Sequence, residues 1–415
     1  MKAMARLASL IQMKGAFLLA ILSLAMGAAG QNNFVYTNDG SSPNTVSAFR
    51  VNSDGSLTLI PGSPFLTGGN GVSTDVNPGK ITTATREDAS FLYAGNNSDA
   101  TISAFRIVRA TGQLIAVRDS PFASGTPIPL LNFSLATSPN GRFLFATDEV
   151  STVVHVFAIH RDGALEETPS SPFDVGAFSE GLKVSPNGRF LVVGLSSINA
   201  VGVFVINREG ELKAAPGSPF PASGAATDVD VTCSNDRVFA SDAGLSVIDA
   251  YRMAENGGLT PIAGSPFASG GTSTINAFSL SPNDEHLFAS NLFDDTVSSL
   301  AVNSNGSLQP VPGSPFDDNG FGGLGFLGGS ATTRAGEFLY VAVVDEAAVV
   351  GWRIGPGGSL TPVPGNPFFT GQPGFDVLSL TTFPAAKCQG DDEDNDQEAR
   401  EKEWKDGAER TPAAQ

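Results

Sequence analysis

Thr45-Val46-Ser47-Ala48-Phe49-Arg50-Val51-Asn52-Ser53-Asp54-Gly55-Ser56-Leu57, closed by Ser63-Pro64-Phe65, is the stretch on which the fold turns. Thr45 to Phe49 alternates β-formers, as a half-buried strand should. Asp54-Gly55-Ser56-Leu57 is a Gly-x-Leu turn into a second strand, Pro61 marks that strand as an edge because proline cannot donate to a ladder, and Ser63-Pro64-Phe65 reads as the crossover to the next unit. The unit then recurs. Ser-Pro-Phe, once Asn-Pro-Phe, places its proline at Pro64, Pro121, Pro172, Pro219, Pro266, Pro315 and Pro367. The turn leucines recur at Leu57, Leu114, Leu165, Leu212, Leu259, Leu308 and Leu360. A preceding strand begins at Phe34, Phe91, Phe143, Phe190, Val238, Leu287 and Phe338. A further strand precedes turns of the Ser138-Pro139-Asn140-Gly141 type, as in Leu135 to Ser138, Leu182 to Ser185, Val229 to Cys233 and Phe278 to Ser281. Thr82 to Thr85 and Ser330 to Thr333 share that register. No such strand precedes Phe34, yet one is left over at the far end, Asp376 to Phe383.

A period near 50 residues with an orphan final strand predicts an all-β, seven-bladed β-propeller of four antiparallel strands per blade. The C-terminal strand completes the first blade and removes the open edges. Strand order within a blade is a-b-c-d from the axis outward. The composition agrees: 47 Gly, 27 Pro and 29 Phe, with 16% charged and 41% hydrophobic residues, describe a turn-rich chain with a packed core. Three His and two Cys exclude a disulfide scaffold and a zinc ribbon. A net charge of −18 argues against nucleic acid as a partner.

Two terminal segments stand apart. Residues 1–30 read as a signal peptide: Lys2, Arg6 and Lys14, an apolar run from Ala16 to Met26, then the small residues Gly27 to Gly30. The run is too short to span a bilayer, so no membrane span is expected after cleavage, and the destination is periplasmic or extracellular. Residues 31–388 form the propeller. Residues 389–415 form an acidic tail too polar to fold; Asp392, Asp394, Asp396, Glu398 and Glu403 have the spacing of a calcium loop, but Gln397 stands where the turn needs glycine.

Phe338-Leu339-Tyr340-Val341, Ser138 to Phe145 and Val35-Tyr36-Thr37-Asn38 resemble the lactonase family of seven-bladed propellers, which includes 6-phosphogluconolactonase-like proteins and Tyr-Val-Thr-Asn repeat proteins. The resemblance covers about residues 32 to 384. It implies a lactone hydrolase with a Gly-Pro-Arg-His segment on an inner strand and an Asn-Glu-Leu-x-Ser-Thr-Val segment after it. The second has a counterpart, Asp148-Glu149-Val150-Ser151-Thr152-Val153; the first does not, since its Arg and His positions fall on Phe133 and Ser134. The remaining inner strands carry Lys80-Ile81, Glu180-Gly181, Asp228-Val229, Asn276-Ala277 and Gly328-Gly329 there. Opening a lactone needs a proton-moving group and a cation for the developing charge. Glu149 and Lys80 are the candidates left for those roles. His155, His160 and His286 read as structural or solvated.

The d–a and b–c loops share one face around the channel mouth. They carry Asp39, Asp99, Asp148, Glu149, Asp242, Asp294, Asp295, Asp345 and Glu346, with Glu180, Asp228 and Asn276 where inner strands begin. Such an acidic top face would attract a basic partner or a cation. The first expectation is therefore an exported, non-catalytic monomer that binds a small ligand, glycan or protein through this face. A lactone hydrolase with a substituted site is the second. No cofactor is required; a divalent cation such as calcium would suit the oxygen ligands, although no single loop has a metal-binding spacing. Cys233 and Cys388 could pair in an oxidising compartment, or Cys233 could be a small buried thiol.

Overall fold

In the computed structural model the described residues are 32–388, without 73–78, 126–132, 273, 318–325, 345, 371–376, 378 and 387. The signal segment and the acidic tail therefore lie outside the described residues, as does Asp345. The strands make seven separate antiparallel sheets. Their inner strands are Ile81–Arg86, Phe133–Thr137, Leu182–Val184, Ala225–Val231, Ile275–Leu280, Leu327–Thr332 and, for blade 1, Ser379–Phe383. This last strand pairs with Phe34–Asn38 from Phe34↔Phe383 to Asn38↔Ser379, which closes the ring as the orphan strand predicts. Among the described residues no helix is long and apolar enough to cross a membrane.

Each sheet differs from expectation in one respect. The Pro-Phe motif is part of the outer strand rather than the crossover to the next blade. In blade 1, Leu57–Leu59 pairs with one end of the c strand and Phe65–Leu66 with its other end. Between them the outer strand bulges, and the c strand would lose an acceptor. The motif serine supplies it: Ser63 Oγ accepts the Ala48 N–H at 2.9 Å, while the Ala48 carbonyl accepts from Ile60. Ser120, Ser171, Ser218, Ser265 and Ser314 do the same for Ala104, Val156, Val203, Ala250 and Ser299. Asn366 serves Gly351 in blade 7. The motif is Ser-Pro-Phe because a short side-chain oxygen must reach the strand there.

The Gly-x-Leu turns fix neighbouring blades to one another. Gly112 has φ +77°, and a Cβ there would collide with Phe34 of the preceding blade. The same contact joins Gly163 to Phe91 and Gly257 to Phe190. In blade 6 the phenylalanine position holds His286, whose ring lies against Gly358. Burial holds its imidazole below the usual histidine range, which accounts for this His as packing. Apolar side chains from adjacent blades fill the spaces between sheets, as with Phe145, Val154, Leu191 and Leu195. Phe is abundant because both the outer strand and these seams use it.

The bottom of the channel carries a crosslink. Past Phe383 the chain leaves blade 1, Ala385 and Ala386 line the channel, and Cys388 is disulfide-bonded to Cys233 in the a–b turn of blade 5, with Cα atoms 5.3 Å apart. Cys233 is therefore a half-cystine and not a buried thiol.

Candidate functional site

The inner strands enclose a cavity of about 310 Å³. Most of its wall is small or apolar, including Thr83, Ala136, Ala277 and Leu380. Among the described residues its charged lining is confined to one sector, where Lys183 of blade 4 meets Asp228 and Asp230 of blade 5. Lys183 Nζ lies 3.1 Å from Asp230 Oδ1. Asp228 and Asp230 are two residues apart on one strand, so they share a face.

Both carboxylates also join blade 5 to blade 6. Asp228 accepts the Phe278 N–H at 3.0 Å and Asp230 the Leu280 N–H at 3.1 Å. Each also accepts the N–H of its following residue, Val229 or Val231. Elsewhere neighbouring inner strands meet through neutral groups: Thr137 donates to the Thr83 carbonyl and Thr382 to that of Thr332. The charged sector is a local departure from a hydroxyl-based ring.

Electrostatics separate the three groups. Burial, reinforced by the charge of Asp230, pushes the Asp228 carboxyl up to about 7, against the lowering effect of the Phe278 N–H and Lys183. The charge of Asp230 raises the Lys183 ammonium above its ordinary value, so Lys183 stays cationic. The cavity wall therefore holds a fixed cation beside a carboxyl that exchanges its proton near neutral pH. This is the pair of properties that lactone chemistry demands.

The residues expected from sequence are dispersed by comparison. Lys80 is 1% exposed, and its carbonyl accepts from Gly95 N–H and Asn38 Nδ2, so it is built into the wall between blades 1 and 2. Glu149 is half-buried in the turn after Phe143–Asp148; the side chain of Asp148 lies outside the described residues. Glu180 is half-buried, with its N–H donated to Gly194. Asn276 is buried and donates to the Leu327 carbonyl, tying blade 6 to blade 7. Asp294 accepts from the amide and hydroxyl of Thr272, Asp295 is half-buried at φ +52°, and Glu346 is exposed.

Two acids expected on the rim are interior. Asp39 is 1% exposed and accepts from the hydroxyls of Thr37, Thr45 and Ser47, with burial pushing it up to about 6. Asp242 is also 1% exposed. The top-face loops carry apolar groups beside the acids, including exposed Ile198, Leu245 and Phe293. His155 and His160 contact Glu167 and Glu166 on the outer strand of blade 3, at 2.8 and 2.9 Å, away from the channel.

Of the expected residues, only Asp228 reaches the charged sector. Lys183 and Asp230 were missed because the family motif directs attention to the start of each inner strand, and both lie deeper. A signal was present: Thr227-Asp228-Val229-Asp230-Val231 and Leu182-Lys183-Val184 alternate charged and apolar residues on strands whose other face is core.

Solved structures share this architecture. A provisionally assigned 6-phosphogluconolactonase of Bacteroides fragilis superposes with a TM-score of 0.67 at 17% identity, covering 86% of this chain and 99% of that one. The periplasmic gluconolactonase of Pseudomonas aeruginosa gives 0.63 at 18% identity, covering 84% and 99%. At such identities the likeness concerns the fold. No curated protein matches the chain in sequence. The model of the family "Lactonase, 7-bladed beta-propeller" matches residues 31–177 and 135–373. With most of its length matched and its seven sheets closed as the repeat requires, the chain belongs to the lactonase family of seven-bladed β-propellers.

Proposed function

We propose that this protein hydrolyses a small polar lactone within the central channel, using Lys183 and Asp228 where relatives would use an Arg-His pair. The observation that carries this reading is a cation, Lys183, paired with Asp230 in the same cavity sector as Asp228, whose carboxyl feels the Lys183 charge and is pushed up to about 7. In its ionised form Asp228 takes a proton from water, and the resulting hydroxide adds to the ring carbonyl. The carbonyl oxygen becomes an oxyanion beside the Lys183 ammonium. Collapse breaks the bond to the ring oxygen, which leaves with the proton held by Asp228 and becomes the hydroxyl of the hydroxy acid. Asp230 positions Lys183. A cavity of about 310 Å³ suits a single small ring, at the lower end of ligand sites.

The substrate class is a sugar-type lactone, in keeping with the gluconolactonase among the similar structures. We place the reaction outside the cytoplasm: the leader-like residues 1–30 and the Cys233–Cys388 disulfide both suit an exported protein. A non-catalytic role at the top face is the second reading, favoured by the exposed apolar groups there.

The test is turnover of gluconolactone, its 6-phosphate and simple aliphatic lactones, followed by acid release, with Asp228→Asn, Lys183→Met and Glu149→Gln. The channel reading expects kcat/KM to fall at least about 100-fold in the first two and little in the third. The rate should rise with pH through about 7, as Asp228 ionises. Loss confined to Glu149→Gln would return the chemistry to the rim. Buffer-rate hydrolysis of every lactone would sink both and leave the binding role.

A further inference from the structure

At the top corner of each blade one residue ends the b strand opposite the first residues of the c strand. In blade 2 it is Asn96, paired with Thr101, and its Nδ2 donates to Thr101 and Ser103 at 3.0 and 2.7 Å. In blade 6 it is Asn291, donating to Thr296 and Ser298 at 2.9 Å each. In blade 1 it is Asp39, accepting from Thr45 and Ser47 at 2.7 and 2.8 Å. Three blades therefore solve the same problem with an amide or carboxylate held between two hydroxyls.

Blade 5 breaks the pattern. The corner residue is Asp242, and the register from Ser241↔Ile248 puts Val247 and Asp249 where the hydroxyls belong. Both partners of Asp242 are thus lost, one to a methyl-bearing side chain and one to a second carboxylate. Asp242 is 1% and Asp249 6% exposed. Among the described residues neither oxygen of Asp242 has a hydrogen-bond partner. Asn291 also leaves an oxygen unmatched, but that oxygen is neutral; here both oxygens of an ionisable group are unmatched. Gly224 closes the other side so tightly that a Cβ there would overlap the Asp242 carboxylate. Asp249 is held in place by the amide and hydroxyl of Ser223, at 2.8 Å each.

A buried carboxylate without donors, facing a second one, is relieved either by a cation or by a proton. Among the described residues no ion pair reaches either acid, and no group of three or more His, Cys, Asp and Glu side chains forms a metal cluster. We infer that Asp242 and Asp249, with Ser223 Oγ, bind one hard divalent cation of the calcium type where the loop from blade 4 enters blade 5. The two carboxylates offer charge and up to four of the six to eight oxygens that calcium takes. Its role would be to pin blade 4 to blade 5 at the face opposite the disulfide, independently of any chemistry in the channel.

The test is calorimetric titration of chelator-treated, full-length protein with calcium chloride at neutral pH, together with thermal melts. Wild type should bind one equivalent and melt at least about 2 °C higher in about 1 mM calcium than in chelator. Asp242→Asn, which rebuilds the Asn96 arrangement, and Asp249→Ser, which rebuilds that of Ser298, should both fold and lose the calcium response. No calcium or magnesium response in wild type overturns the inference. If, in addition, wild type but not Asp242→Asn loses melting temperature as pH rises through about 6, the pair holds a shared proton instead of a metal. Calcium binding that persists in both variants also overturns it, placing the ion elsewhere.

Discussion

The outer and inner edges of the blades are held by opposite strategies. At the outer edge the same latch is used in every blade: a bulged strand, a motif Ser or Asn accepting one c-strand amide, and a proline beside it. At the channel the seams differ in kind: a threonine hydroxyl donates to a carbonyl between blades 2 and 3, 6 and 7, and 7 and 1, whereas charged groups join blades 4 and 5 and blades 5 and 6. Blades 2 and 3 meet through Thr137, blades 4 and 5 through Lys183 and Asp230, blades 5 and 6 through two aspartates, and blades 1 and 7 through Thr382. Repetition at the outer edge marks out the seven blades. Departure from repetition at the axis is where this chain differs from a generic propeller, and it is where ionisable groups are found.

The largest expected effect lies at the axis. The Cys233–Cys388 bridge closes 155 residues of chain. In the chain-entropy account, closing so long a loop is worth about 5 kcal/mol. Replacing both cysteines by serine should lower the urea midpoint markedly while the m-value stays within the range for a protein of this size. A stability loss under about 1 kcal/mol, taken as the midpoint shift times m, would mean that the inner edge is held as redundantly as the outer one, and the contrast between the edges would fail.

Asp230→Ala comes next. It leaves the Leu280 amide unmatched and removes the partner of Lys183, whose side chain is about half exposed to the channel, so the loss should be about 2 kcal/mol and come mainly from the amide. Asp230→Asn keeps an acceptor and should cost less. At the outer edge no single side chain should approach this value. Equal costs at Asp230 and at a rim serine would break the comparison.

Asp228 gives a pH signature that the outer edge lacks. Its folded value, about 7, lies above the ordinary 3.8. Between those values the folded chain binds more protons than the unfolded one, so stability falls as pH rises from about 4 to about 7, by at most about 1.4 kcal/mol per pH unit. Asp228→Asn should flatten that part of the profile. Asp39, also raised, contributes a similar fall ending near 6, so the Asp228 part is read above that pH.

Legibility follows the same division. Ring closure by the strand that ends at Phe383, blade number and strand order could be read because each rests on the repeat. The Pro-Phe motif was read as a crossover because sequence shows that proline is on an edge without showing that Ser63 replaces a backbone acceptor. Asp39 and Asp242 were placed on the rim because loop acids are ordinarily solvated; what buries them is the diagonal reach from the end of one strand to the next, which no spacing rule announces. Lys183 and Asp230 show the reverse case. Their alternation was visible, but only the closed ring brings residues 183 and 230 within 3.1 Å.

The smallest effect is also the sharpest check on the repeat. Ser218→Ala removes the acceptor of the Val203 N–H in blade 4, and the half-buried amide should cost about 1 kcal/mol. Because the latch is the same in each blade, Ser120→Ala and Ser265→Ala should cost the same to within about 0.5 kcal/mol. Ser218→Asn should recover most of the loss, since Asn366 already performs this task, its Oδ1 accepting from Gly351 N–H and its Nδ2 donating back to the Gly351 carbonyl. Costs that scatter widely among the serines would show that the bulged strand is held by its backbone pairing, as between Ala48 and Ile60, and that the side chain is incidental. Uniform costs with asparagine rescue would show that the serine persists as an acceptor, and that proline and phenylalanine only frame it.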